Sequence, residues 1–396
     1  MTHADILVTG ATGRTGGAAV DTLLKMNRRV RAYVRSDGEA AQALRSKGVE
    51  IAVGDFTDLD AIRSAMEGIR SAYFLHPISP GIVHASAFFA QAAKEAGVSA
   101  IVNMSQISAR RESRSHAAQD HWVAERVFDW SGMATTHLRP TFFADWLVYP
   151  HFAHEIWEKK RILFPFGNGR HAPISTDDQG RVIAHILDKP SAHAGKTYTL
   201  HGPVEMNHDQ IAAAMSEVLG ARIEYAPLSI EEFRHQMEHT YKFNPFLVQH
   251  LVEVAQDYRD GVFAGTNDAV EQVTGRPRAP FRISSPGTGP RSSDGPFRWD
   301  QGTLHVYGRR AHQGRGLQLL RNQEGCTTSR QAGRASGANH KLPEGGHGSP
   351  QRAVIIEFPD FEALDAWYND AEYKPLIALR KQCTREIDML ITLEGA

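Results

Sequence analysis

The sequence predicts an α/β protein: a doubly wound parallel sheet with a small substrate lobe, followed by a partial α+β module at the C-terminus. Three observations predict it. Glycines 10, 13 and 16 follow an apolar run, Ile6-Leu7-Val8, and lead into a helical stretch. Further short apolar runs alternate with amphipathic stretches as far as residue 140. Strand-like text then returns abruptly at Arg352 after a long patternless interval. Strands alternating with helices of this length build βαβ units, whose crossovers place helices on both faces of a parallel sheet.

Taken in order, strands are expected at 5–9, 30–34, 49–53, 72–75, 100–104 and 135–138, with helices at 16–26, 38–46, 58–67, 83–96 and 118–131. After Arg139 the rhythm loosens. A helix near 142–160, a helix opening at Asp178, a strand at 196–200 and a helix near 207–219 indicate a lobe grown from the sheet's carboxyl edge. Such a lobe covers the crevice where open α/β sheets bind ligands. The expected division is 1–278 for the first unit (core 1–140, lobe 141–278), 279–350 as a disordered or aberrant linker, and 351–396 as the partial module.

Between Arg276 and Pro350 stand eleven arginines and one lysine against four acids, amid Gly, Ser, Pro, His and Gln. Hydrophobic periodicity nearly vanishes there. Three readings stay open: a flexible linker, a basic tail for nucleic acid that lacks interleaved aromatics, or once-packed structure translated in a shifted frame. Strand signal resumes at 353–358, a helix opens at 360–368, and a closing strand is expected at 389–393.

Each glycine of the first turn has a physical job. Gly10 permits the tight turn, Gly13 lets backbone N–H groups approach a pyrophosphate, and Gly16 lets the helix close on the strand. The helix N-terminus then turns its partial positive charge toward the phosphates. With a strand before and a helix after, this is the pattern of a Rossmann-type dinucleotide site, and Thr12, Arg14 and Thr15 line the same loop. Cofactor choice turns on the tip of the second strand, where an acid suits the ribose hydroxyls of NAD and an arginine suits a 2′-phosphate. The chain reads Arg31-Ala32-Tyr33-Val34-Arg35-Ser36, with no acid before Asp37. Arg35, with Arg14 as a second candidate, therefore predicts NADP(H), with NAD(H) as the alternative. Asp55 and Phe56, after the third strand, are placed to flank the adenine, Asp55 accepting from its amine. Leu75-His76-Pro77 ends the fourth strand, where the backbone passes the nicotinamide ribose.

The remaining composition sets bounds. At 396 residues the chain has room for two or three domains and a large core. A net charge of −1 argues for neither nucleic acid nor membrane as partner. Two cysteines, Cys326 and Cys383, make no disulfide framework and fit a reducing cytosol. The first strand leaves no room for a signal peptide, and no apolar run approaches a bilayer span, so a cytoplasmic protein is expected.

From Ile6 to about Pro277, two thirds of the chain, the sequence resembles the NmrA-like group of atypical short-chain dehydrogenases. Within that group it is similar to NAD(P)H:quinone oxidoreductases and NAD(P)H azoreductases. The residues that carry the resemblance are Thr9-Gly10-Ala11-Thr12-Gly13-Arg14-Thr15-Gly16, Gly54-Asp55-Phe56, His121-x-x-x-Glu125, Ser131-Gly132-Met133, Leu138-Arg139-Pro140-Thr141-Phe142-Phe143 and Val273-Thr274-Gly275-Arg276-Pro277. The resemblance implies NADP(H) at the glycine turn and hydride transfer to a quinone, azo compound or similar conjugated acceptor. The alternative, from a second class, is a redox sensor that binds the nucleotide without turnover. A homodimer is compatible with either.

Ordinary short-chain dehydrogenases use Tyr-x-x-x-Lys on the helix after the fifth strand. Here that helix offers His121 and Glu125, one turn apart on one face. His121 is a candidate general acid for a carbonyl substrate, with Glu125 orienting it or closing the pocket floor; both are equally readable as structural. Ser105 stands where the dehydrogenase serine sits. Phe142, Phe143 and Trp146 follow the Arg-Pro turn as candidate walls of an aromatic acceptor site, though such clusters are more often core. His235-x-x-Glu238-His239 matches a zinc-peptidase pattern by coincidence, and no metal is expected. His151, His154 and Glu155 read as a solvated helix face, and Asp178 as a helix cap. From Gln351 to Glu394 the tail resembles small bacterial proteins of unknown function with a ferredoxin-like dimeric α+β barrel. That likeness is carried by Arg352 to Phe361, Ala366-Trp367-Tyr368-Asn369, Glu372-Tyr373 and Arg380.

Overall fold

The computed structural model describes residues 4–143, 147, 150–219 and 221–279, together with five short strands beyond them. The alternation read from the sequence becomes β1 (Ile6–Thr9), α1 (Arg14–Lys25), β2 (Val30–Val34), α2 (Glu39–Ser46), β3 (Glu50–Val53), α3 (Leu59–Met66), β4 (Ser71–Phe74), α4 (Ile82–Glu95), β5 (Ala100–Met104), α5 (His116–Trp130) and β6 (Ala134–Pro140). β1, β4 and β5 are buried throughout, as strands covered on both faces must be.

The chain then enters the lobe with α6 (Pro150–Trp157), β7 (Arg161–Ile162) and β8 (Arg170–His171). It returns to the sheet as α7 (Thr176–Asp188) and β9 (Thr197–Leu200), and leaves again as β10 (Met206–Asn207), α8 (His208–Leu219), β11 (Glu224–Tyr225), α9 (Ile230–His235) and α10 (Pro245–Arg259). α11 (Ala269–Thr274) packs back beside α7.

The seven-stranded sheet runs β3-β2-β1-β4-β5-β6-β9, every pairing parallel. The expected doubly wound sheet is therefore present. Strand order reverses between β1 and β4, which opens a crevice beyond their carboxyl ends. One face is covered through Ala19, Val20 and Leu23 of α1 and Val182, Ile183 and Ile186 of α7. The other is covered by α3, α4 and α5 around Phe74, Phe89 and Phe128. The lobe has its own core, centred on Phe164, Phe166, Phe233 and Tyr258.

Four details depart from expectation. α1 begins at Arg14, inside the glycine motif, with Gly13 as its N-cap. The helix expected near 142–160 is described only as α6. Thr141 stays extended, its N–H donating to the Leu200 carbonyl at 3.0 Å, and Phe143 bridges to Ile174. Asp178 does not cap α7; Ser175 does, accepting from the Asp178 N–H at 3.0 Å. The Asp178 carboxylate pairs instead with Arg181 and accepts from the Ala279 N–H at 2.9 Å. Finally α10, fifteen residues long, was not anticipated, although Asn244 caps it and Pro245 stands at its first position.

The chain divides into two units, residues 1–308 and 309–396. In the first, β12 (Arg282–Ser284) pairs antiparallel with β13 (Thr303–His305). In the second, β14 (Leu317–Asn322) lies between β15 (Ala353–Phe358) and β16 (Leu390–Leu393), both antiparallel to it. β12, β13 and β14 fall within the interval 279–350, where the sequence reading placed no strand. The helix expected at 360–368 lies outside the described residues.

α7 rests on α1 through a glycine. A Cβ at Gly180 would stand 2.5 Å from the Ala18 Cβ and 2.6 Å from its backbone carbon. Gly180→Val should therefore force the two helices apart and destabilise the protein by about 1–3 kcal/mol, read as a lowered urea midpoint.

Candidate functional site

The β1–α1 turn is built by close backbone approach. Gly10 adopts φ +62°, and a Cβ there would meet the Leu75 side chain at 2.9 Å. The Gly13 N–H donates to the Gly10 carbonyl at 2.9 Å, closing the turn. A Cβ at Gly16 would fall within the Gly10 backbone, so α1 can start this close to β1 only without one. Thr12, Gly13 and Arg14 are exposed at the mouth of the turn, while Thr15 and Gly16 are buried beneath it. Main chain thus faces the crevice at the positive end of α1, the cradle a diphosphate needs.

Arg35 lies exposed just beyond β2, close enough to Asp55 to help hold that carboxyl below its usual range, although hydrogen bonds from Thr57 do most of this. Asp37 is bound bidentately by Arg45, at 2.6 and 2.8 Å. Arg31 turns away to Glu50 and to the carbonyls of Ala65 and Glu67. Arg31 is thus committed elsewhere, whereas Arg35 stands exposed one residue beyond β2. The Gly54-Asp55-Phe56 segment is placed by Tyr33, whose hydroxyl donates to the Asp55 carbonyl at 2.9 Å in the space a Cβ on Gly54 would fill. Asp55 Oδ1 accepts from the Thr57 N–H and hydroxyl, at 2.9 and 2.7 Å, so this oxygen is already occupied. Phe56 is half-buried, with its ring 5.3 Å from Phe74 and 5.5 Å from His76.

Across the switch point, Thr9 stitches β1 to β4: its hydroxyl accepts from the Leu75 N–H at 2.8 Å. Leu75, His76 and Pro77 therefore sit beside the glycine turn. The His76 ring contacts the Pro77 carbonyl at 2.8 Å, and burial lowers its pKa.

α5 runs antiparallel to β6, and the two match rung by rung. Asp129 contacts His137 at 3.0 Å, and His137 in turn contacts Asn103 at 3.1 Å. One turn up, Glu125, fully buried, receives both arms of Arg139 at 2.8 and 2.6 Å. One turn further stands His121, 4% exposed. Burial, with the nearby His250, drives its pKa to about 3, so its ring is neutral at physiological pH. Glu125 is thus committed to Arg139, and His121 carries no charge to donate from. Ser105, also buried, extends β5 by one rung, its N–H donating to the Leu138 carbonyl at 2.8 Å.

The candidate substrate walls diverge. Phe142 enters the lobe core, its ring stacked on Phe263 at 4.6 Å, whereas Phe143 packs against the sheet's own core. Trp146 lies outside the described residues. Sequence reasoning missed the lobe's hold on the β5–α5 loop. Arg110 binds Asp257 of α10 at 2.9 and 2.5 Å, and His250 of α10 meets the Ser115 hydroxyl, which caps α5, at 2.8 Å. Deeper in the lobe the Tyr258 hydroxyl sits between His171 and His208. His235 and His239 are exposed, with their rings 4.5 Å apart. Among the described residues, no group of three or more His, Cys, Asp or Glu side chains is arranged to hold a metal. Among them also, no helix is long and apolar enough to cross a membrane.

The sheet order, the glycine turn at its switch point and the lobe over its carboxyl edge define a Rossmann-type domain. The chain belongs to the NmrA-like family, whose model matches residues 2–272. Residues 333–395 match a second model, a domain of unknown function (DUF1330). The chain is 30% identical over 278 residues to the NAD(P)H azoreductase of Xenophilus azovorans, which spans 70% of this chain and 95% of that protein. It is 28% identical over 233 residues to quinone oxidoreductase 2 of Escherichia coli, or 58% of this chain and 79% of that one. The crystal structure of NADPH-dependent quinone oxidoreductase from Escherichia coli complexed with NADPH superposes with a TM-score of 0.62 at 25% identity. That match covers 70% of this chain and 96% of that chain.

The buried histidines make a pH prediction. Burial holds His121 and His208 near pKa 3 and His250 near 4, and lowers His171 well below its ordinary value. On unfolding, each takes up a proton once the pH falls below about 6.5, while the folded ring stays neutral. Stability should therefore be flat with respect to these four above pH 6.5. It should decline on acidification below that, because the unfolded chain then binds protons that the folded rings do not, as denaturant titrations at pH 7, 6 and 5 would show.

Proposed function

We propose that the protein is an NAD(P)H-dependent oxidoreductase that binds NADP(H) at the β1–α1 turn and reduces a quinone, azo compound or similar conjugated acceptor. The residues present fit the nucleotide. A Cβ at Gly10 would meet the Leu75 side chain and one at Gly16 the Gly10 backbone, so the turn closes into a main-chain cradle only without them, and Arg35 stands at the strand tip for a 2′-phosphate while Asp37 is held by Arg45. The names of the relatives, an NAD(P)H azoreductase and a quinone oxidoreductase, support the same class of reaction.

The observation that carries the choice of acceptor is the bidentate Glu125–Arg139 pair beneath a neutral His121. Reduction of a simple carbonyl leaves an alkoxide that must be protonated in place, which calls for a positioned acid. Hydride delivered to a conjugated acceptor leaves a delocalised anion that water can protonate. Bound reduced nicotinamide supplies the hydride. The protein supplies alignment across the crevice and exclusion of water, and proximity of this kind lowers a barrier by several kcal/mol. His121 and Glu125 then act as the packed floor of the site.

Stopped-flow NADPH oxidation with menadione tests the reading. Arg35→Ala should raise KM for NADPH about tenfold, the loss of one charge-assisted contact, with little change for NADH. Gly13→Asp should abolish turnover. Tight NADPH binding with no oxidation across quinones and azo dyes would instead support a redox sensor.

A further inference from the structure

α10 has two working faces. Leu251, Val252, Ala255 and Tyr258 belong to the lobe core. Phe246, Gln249, His250 and Asp257, at helical spacing on another side, reach the Rossmann core instead. Phe246 packs against the apolar cluster of Ile82, Ala117 and Ala124, drawn from α4 and α5. One turn on, Gln249 brackets the main chain. Its Oε1 accepts from the His116 N–H at 3.0 Å, and its Nε2 donates to the Arg114 carbonyl at 2.8 Å. That N–H opens α5, so one of the helix's free donors is satisfied by a residue 133 positions away. His250 Nδ1 meets the capping Ser115 hydroxyl at 2.8 Å, and two turns further Asp257 takes both arms of Arg110 at 2.9 and 2.5 Å. One helix of the lobe thus grips residues 110 and 114 to 116. The sheet holds the start of the same loop, the Ser105 N–H donating to the Leu138 carbonyl and the Ile107 N–H to the Pro140 carbonyl. This loop leaves β5 on the β4 side of the crevice, opposite the strand tips where Arg35 and Asp55 stand.

Resting on the functional reading above, we infer that Gln249, His250 and Asp257 are positioning residues for the acceptor: through them the lobe fixes the β5–α5 loop as the acceptor-side wall of the crevice. They act on the loop and on the start of α5, not on the nucleotide or the acceptor directly. The chemistry of the grips suits this role. A two-point amide bracket and a bidentate arginine–carboxylate pair fix orientation as well as distance. The Arg110 side chain is 36% exposed, so its pair with Asp257 contributes little to stability while still setting geometry. Hydride transfer is sensitive to such placement, because a wall displaced by about 1 Å misaligns the acceptor on the nicotinamide.

The test compares Gln249→Met, which keeps length and removes both hydrogen bonds, with Asp257→Asn, which keeps shape and removes the charge. KM for menadione should rise about fivefold to tenfold in each variant. Kd for NADPH, measured without acceptor, should stay within about twofold of wild type, because β4 stands between the glycine turn and the loop in the sheet. Hydrogen exchange should quicken at residues 108–118 and stay unchanged at residues 9–20. A wild-type enzyme that turns over menadione, beside folded variants whose KM stays within about twofold of it, overturns the inference. So does a rise in the NADPH Kd equal to the rise in KM, which would mark general loosening of the fold. Should either variant fail to fold, Arg110→Gln opens the ion pair from its exposed side and is judged by the same two constants. If wild type oxidises no NADPH with any acceptor, the functional reading fails by itself. The positioning role is then judged on the affinity of the NADP⁺ complex for menadione, and equal affinities in wild type and variants overturn it.

Discussion

Main chain lies against main chain where α1 leaves β1, and the remaining layers are stacked from that contact. Because Gly16 has no side chain, the first turn of α1 sits directly on the Gly10 backbone, and the helix's positive end is held at the sheet's carboxyl edge. The same economy recurs one layer out, where Gly180 brings α7 onto Ala18. α7 then anchors the end of the first unit's described core: Arg181 reaches the Pro277 carbonyl at 3.0 Å and Asp178 the Ala279 N–H. A side chain at either contact would move a whole helix, because packed interiors have no slack to absorb it.

On the opposite face the organising element is ionic. Glu125 is fully buried, and a buried pair contributes little net stability, because desolvation offsets its Coulomb gain. Its value lies in register. Sliding α5 by one residue along β6 would leave Glu125 unpaired in the interior, at a cost of several kcal/mol, whereas the alanines along α5 would tolerate the shift. α10 adds a second restraint from the lobe: Arg110–Asp257 and Ser115–His250 fix the loop that delivers Ser105 and the start of α5. Core and lobe thus share control of the crevice wall.

How much of this was legible in the sequence depended on range. Glycine spacing and short apolar runs are local signals, and the parallel sheet and the β1–α1 turn followed from them. Pairings between distant elements carry no local signature. His121 and Glu125 read as one helical face, but Arg139 as Glu125's partner lies in a strand fourteen residues on, where arginine looks like an edge residue. Phe142 and Phe143 read as one wall, yet adjacent residues of an extended segment point to opposite sides, and they enter different cores. The Ser175 cap was readable, since Ser-x-x-Asp is a capping pattern, but Asp178 is equally good cap chemistry and only backbone geometry separates them. α10 had a clear start signal in Asn244-Pro245 and was passed over because its amphipathic stripe includes His250 and Asp257, polar residues buried by partners in the β5–α5 loop.

That last point bears on the chemistry. Polar residues on core faces degrade a hydrophobic pattern, so places where the pattern fails inside an ordered element are where to look for networks. Here they converge on one wall: Asn103, His137, Glu125, Arg139, His121, Ser105, Thr141, Ser115 and His250 all sit between α5, the ends of β5 and β6, and α10. Most of these groups are paired; among the described residues the Ser105 and Thr141 hydroxyls are not. Burial holds the His121 and His250 rings of this wall neutral at physiological pH, so these two act as oriented dipoles rather than as charges, beside the one buried ion pair that Glu125 makes with Arg139.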